Sequence, residues 1–126
     1  MAFGPAYGLD TKIAIKLGRP LGSGMGGKGL VCGAVSGAVL ILGLAQPEMA
    51  GRKGKQLLYR KVRELIDRFE EPYDSVLCSS LLGADINTRL GRAKVRLRGV
   101  SRKSCPGFVR AVAEILESIL TAGFSR

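Results

Sequence analysis

The stretch from Gly29 to Pro47, GLVCGAVSGAVLILGLAQP, contains no charged residue, and it constrains the fold more than any other feature of the chain. An apolar run of this length has to be hidden from water, either in a membrane or in a protein core. From Leu30 to Ala45 it would rise about 24 Å as a helix, against a hydrocarbon layer roughly 30 Å thick. Gly33, Ser36, Gly37 and Gly43 dilute its hydropathy further. The stretch therefore predicts a helix over 30–45, buried on every side within a bundle, rather than a membrane span. The amino terminus, MAFGPAYGLD, lacks the basic segment and apolar run of a signal peptide, so the expected compartment is the cytoplasm.

The rest of the chain supplies partners for that helix. Asp10 or Thr11 can cap a short helix through Ile13 and Leu17 that stops at Gly18, with Pro20 behind it. Over 52–71, Leu58, Val62, Leu65, Ile66 and Phe69 share one face, and Pro72 closes the run. Asp74 or Ser75 can start the short helix VLCSSLLG, with Gly83 as its cap. Ser104 can cap a last helix, with Pro106 in its first turn and an apolar face of Phe108, Val109, Val112, Ile115, Leu116, Ile119 and Leu120. A chain of 126 residues suits one core. The expected fold is an all-α single domain over 1–126, a bundle of about five helices around the Gly/Ala-rich central one.

Charge and residue counts narrow the chemistry. The net charge of +10 is largely local, because residues 89–103, RLGRAKVRLRGVSRK, hold seven basic groups and no acid. That segment reads as irregular or, from its alternation, as a short strand. Arg92, Lys94, Arg96 and Arg98 could follow a phosphate backbone or another anionic partner, but no aromatic residue is there to stack on bases. With no histidine in the chain, Ser-His-Asp triads, Cys-His dyads and imidazole metal ligands are excluded. Proton handling would fall to thiols, to carboxylates such as Asp85 or Glu48, or to water.

The loop GRPLGSGMGGKG (18–29) superficially matches two phosphate-binding patterns, GxGxxG over 22–27 and GxxxxGK over 22–28. Both need a strand before the loop. The preceding segment is short and broken by Gly18 and Pro20, and Gly29 stands where a P-loop needs Ser or Thr. A tight or flexible turn feeding a helix is the better reading.

The cysteines are placed more suggestively. Cys32 lies at the start of the buried helix and Cys105 just after the capping Ser104, so both are expected at helix amino termini, where the dipole favours a thiolate. Lys28, Arg102 and Lys103 are close in sequence, and the short helix holding Cys78 could bring it alongside. The alternative is that each is an inert, buried, small hydrophobe. Spacings of 46 and 27 residues exclude a CxxC clip or a local zinc knuckle.

CGAVSG (32–37), preceded by GSGMGGKG and followed by AVLILGL, with Cys78 in CSSLLGAD and Cys105 in CPGFV downstream, resembles the C-GCAxxG-C-C family of redox-active proteins. The similarity runs from about Tyr7 onward. It implies a thiol redox or metal-thiolate role for Cys32, Cys78 and Cys105, with an unknown redox partner. Cys32, between the glycine loop and the buried helix, is expected to be the more reactive thiol. Gly24, Gly26, Gly27, Lys28, Gly33 and Gly37 would support the loop and helix start. The family has a fourth cysteine on a helix before the glycine loop, and AFGPAYGLD resembles only the trailing end of that helix. The resemblance therefore implies that the fourth thiol is truncated or lost here. Three thiolates hold zinc or an iron–sulfur cluster only with a further ligand, so thiol exchange without any metal stands beside those two. An apolar groove is expected where the helix would pack, and a homo-oligomer to cover it. Other readings of the chain are a binding protein acting through 89–103 or a non-catalytic accessory subunit.

Overall fold

A computed structural model describes residues 3–47 and 51–124; Glu48 lies outside the described residues. Among the described residues, six α-helices follow one another: α1 (Thr11–Gly18), α2 (Gly33–Ala45), α3 (Gly51–Tyr73), α4 (Cys78–Leu82), α5 (Arg89–Arg98) and α6 (Val100–Ala122). Short 3₁₀ turns occupy Pro5–Tyr7 and Arg19–Leu21. No strand is formed among the described residues beyond one isolated antiparallel bridge, Val31 to Leu77. The architecture is all-α, as the periodicity predicts.

Helices α2, α3 and α6 pack mutually and make the core. Val35 and Leu42 of α2, Leu65 and Phe69 of α3, and Leu116 and Ile119 of α6 are its largest fully buried side chains. Each such side chain stabilises the fold by about 1.5–3 kcal/mol relative to its exposed state. The Gln46 side-chain amide donates to the Gly54 carbonyl at 2.8 Å and fastens the end of α2 to α3. At the other end of α3, Tyr73 stacks 4.9 Å from Phe69 and meets Phe108 of α6 edge-on at 5.1 Å. This aromatic cluster fixes the part of α6 that carries Cys105. Helix α3 runs one residue past Pro72, and Asp74 ends it in the left-handed conformation (φ 65).

Several expectations are corrected. Helix α2 begins at Gly33, not at 30, and it is not buried all round: Leu40 and Leu44 are 53% and 44% exposed. They open, with Gly37, Leu17 and the 56%-exposed Val109, onto an apolar groove of about 540 Å³ between α1, α2 and α6. Residues 89–98 are helical, neither irregular nor a strand. Thr88 supplies the cap, its hydroxyl accepting from the Gly91 amide at 2.9 Å, and Gly99 (φ 62) ends the helix. The left-handed Gly99 lets α6 start immediately at Val100, so Ser104 is not its cap and Pro106 lies inside it. Among the described residues, no helix is long and apolar enough to cross a membrane.

Candidate thiol site

The bridge between Val31 and Leu77 builds the site. The Cys32 amide donates to the Val76 carbonyl at 2.7 Å, and the Cys78 amide donates to the Leu30 carbonyl at 2.6 Å. These bonds flank the bridged pair and tie the segment of Cys32 to that of Cys78. Cys32 and Cys78 are thus each one residue from a member of the same bridge, despite their separation in sequence. Cys32 is the residue immediately before α2 and Cys78 is the first residue of α4.

The glycine loop closes over Cys78. Five consecutive residues, Ser23 to Gly27, have left-handed φ values between 50 and 83. Such a run costs about 1–2 kcal/mol at each residue bearing a Cβ, here Ser23 and Met25. It is held by its own backbone: the amides of Met25, Gly26, Gly27 and Gly29 donate to the carbonyls of Leu21, Pro20, Gly22 and Ser23. These amides are therefore spent inside the loop and do not form a phosphate cradle.

Gly24 and Gly29 are the buried members of the loop. A Cβ on Gly24 would lie 2.5 Å from the Leu30 amide nitrogen and 2.8 Å from the Cys78 Cβ; one on Gly29 would collide with the Ser79 hydroxyl. Gly33 is needed as well, because a Cβ there would reach within 2.9 Å of the Leu21 carbonyl oxygen. Gly26, Gly27 and Gly37 have open space around them. The side chain of Lys28 is exposed; what ties this residue to the site is its carbonyl, which accepts from the Asn87 side-chain amide at 2.5 Å.

All three cysteines are present as thiols. Cys78 is buried, while Cys32 and Cys105 are half-buried. Burial pushes the Cys78 thiol above its ordinary range, and the negative charges that Cys32 and then Cys105 can carry push it higher still. All three belong to one core, Cys78 within it and Cys32 and Cys105 packed against it. Cys105 arrives by a different route from the one expected. It is the sixth residue of α6, beyond the first turn to which the helix dipole reaches, so only Cys32 keeps a position at the amino terminus of a long helix.

As metal ligands, the three do not fit. Among the described residues, no group of three or more His, Cys, Asp or Glu could hold a metal ion. Gly29, Ser79 and Asn87 belong to the site without any local signal in the sequence, since their roles come from contacts across the fold.

The model of a protein family described as "Putative redox-active protein (C_GCAxxG_C_C)" matches residues 1–119. No curated protein and no solved structure matches significantly.

Proposed function

Because this chain belongs to the C_GCAxxG_C_C family, we propose that it is a thiol redox protein working through Cys32, Cys78 and Cys105. The observation that carries this reading is the convergence of three cysteines from separate parts of the chain: backbone bonds tie the Cys32 and Cys78 segments together, and Cys32 and Cys105 pack against the core that holds Cys78. Cys32 attacks first because it is half-buried and sits before a long helix, whereas Cys78 is covered and holds its proton.

In the exchange, the Cys32 thiolate attacks one sulfur of a small-molecule or protein disulfide, R–S–S–R. A mixed disulfide forms and the first RS⁻ leaves, taking a proton from solvent. Cys78 then loses its proton to solvent and attacks the Cys32 sulfur, which expels the second RS⁻. Two electrons pass from the Cys32–Cys78 thiol pair to the disulfide, giving two R–SH and one intramolecular bond. Cys105 remains a thiol beside that bond.

Thiol counting tests the reading. The reduced native protein should titrate three thiols, and one after treatment with a single equivalent of a small aliphatic disulfide and removal of the R–SH released. Three thiols still titrating after that treatment would overturn it.

A further inference from the structure

Helix α5 presents a surface that the thiol chemistry does not use. Leu90 and Leu97 are 81% and 87% exposed, the most exposed large hydrophobic side chains among the described residues. Seven residues apart, they lie on one line of the helix. The opposite side, at Gly91 and Val95, is turned to the protein, with Gly91 buried against the Asp85 carbonyl. The two leucines therefore form an outward ridge about 10 Å long. Lys94 and Arg98 flank it on one side, Arg89 and Arg96 on the other, and all four are exposed. None of these four side chains has a hydrogen bond or ion pair among the described residues. Arg92 differs, donating to the carbonyls of Ile86 and Asn87 at 3.1 and 3.2 Å.

We infer that α5, continued by the basic first turn of α6, is a docking surface for an anionic lipid bilayer. Charge selects an anionic partner, since residues 89–103 contain seven bases and no acid. Shape and apolarity then select the bilayer. A phosphate backbone gains nothing from two bare leucines at the centre of the contact, and a folded acidic protein would need a preformed groove for the ridge. A bilayer admits a convex apolar ridge without one. The leucines enter the boundary between headgroups and acyl chains, while the flexible Lys and Arg stems reach outward to the lipid phosphates. The contact is peripheral and independent of the thiol reading.

Flotation of the full chain with vesicles tests this. Vesicles of equal parts phosphatidylglycerol and phosphatidylcholine should carry the protein, and pure phosphatidylcholine vesicles should not. Binding should fall roughly tenfold or more between low and high salt, as electrostatic attraction to the surface is screened. Leu90→Gln with Leu97→Gln keeps every charge and alters only exposed positions; it should lose most of the binding, with an unchanged circular dichroism spectrum. Equal binding to both vesicle types would overturn the inference. So would leucine variants that bind like the parent, or failure to bind anionic vesicles under salt conditions where duplex DNA is bound.

Discussion

Gly24 lies against Cys78 so closely that a single added methyl group would come within 2.8 Å of the cysteine Cβ. The same methyl group would meet the Leu30 amide nitrogen at 2.5 Å and the Leu30 carbonyl oxygen at 2.7 Å, and Gly24 has φ 71. Backbone cannot move aside as the end of a flexible side chain can. Gly24→Ala should therefore cost about 3 kcal/mol or more, from overpacking added to left-handed strain. Gly26→Ala, with φ 59 but open space, should cost only about 1–2 kcal/mol. Urea midpoints of the two variants check the difference, and alkylation of Cys78 should speed up in the first variant alone.

Stability should fall in alkaline solution because of Cys78. Its thiol is raised in the folded state, so the unfolded chain ionises first as pH increases. The stabilisation is complete below the unfolded thiol pKa and is lost as pH rises toward the folded one. Urea titrations at pH 7 and above pH 9 should show a loss that Cys78→Ala reduces, even though the variant begins from a lower stability.

Charge coupling among the thiols should be measurable directly. Cys32 heads the causes that hold the Cys78 thiol up through charge, with Cys105 after it. Cys32→Ser removes the larger of these, so Cys78 should ionise at lower pH and react faster with iodoacetamide at a given alkaline pH. Cys105→Ser should act in the same direction and less. The pH profile of Cys78 alkylation, followed by peptide mass spectrometry, reads both.

The cap of α5 is a single side chain. Thr88→Ala leaves the Gly91 amide without its hydroxyl acceptor and should cost about 1 kcal/mol. Gly91 itself is closed to substitution, because a Cβ there would run into the Asp85 carbonyl. Hydrogen exchange over 89–98 should quicken in Thr88→Ala before any other helix responds.

The amphipathic helices were legible in the sequence because their spacing carries the information. Leu65 and Phe69 on α3, and Val112, Leu116 and Ile119 on α6, fall on the apolar faces that periodicity marks, and all are buried. Val109 stands on the same apparent face but is exposed, since the groove opens beside it. Helix α2 is apolar all round, so its pattern could not reveal which side stays open. Helix α5 was obscured because bases alternate with apolar residues from Arg92 to Arg98, a two-residue period that imitates a strand. Its real signals were Thr88 before it and Gly99 after it. The pairing of the Cys32 and Cys78 segments is a bridge between Val31 and Leu77, residues 46 apart, and nothing local encodes that. The glycine loop announced a special backbone, although its two essential members for packing on Cys78 and Ser79 are Gly24 and Gly29.

The central claim is that Cys32 and Cys78 exchange electrons as a pair, and the measurement closest to it is a disulfide map of the oxidised protein. Reduced protein treated with one equivalent of a small aliphatic disulfide is quenched with acid, digested, and analysed by mass spectrometry without reduction. The expected result is one linked species joining the peptides of Cys32 and Cys78, with Cys105 recovered as a thiol. Recovery of Cys32 and Cys78 in separate, unlinked peptides would contradict the account.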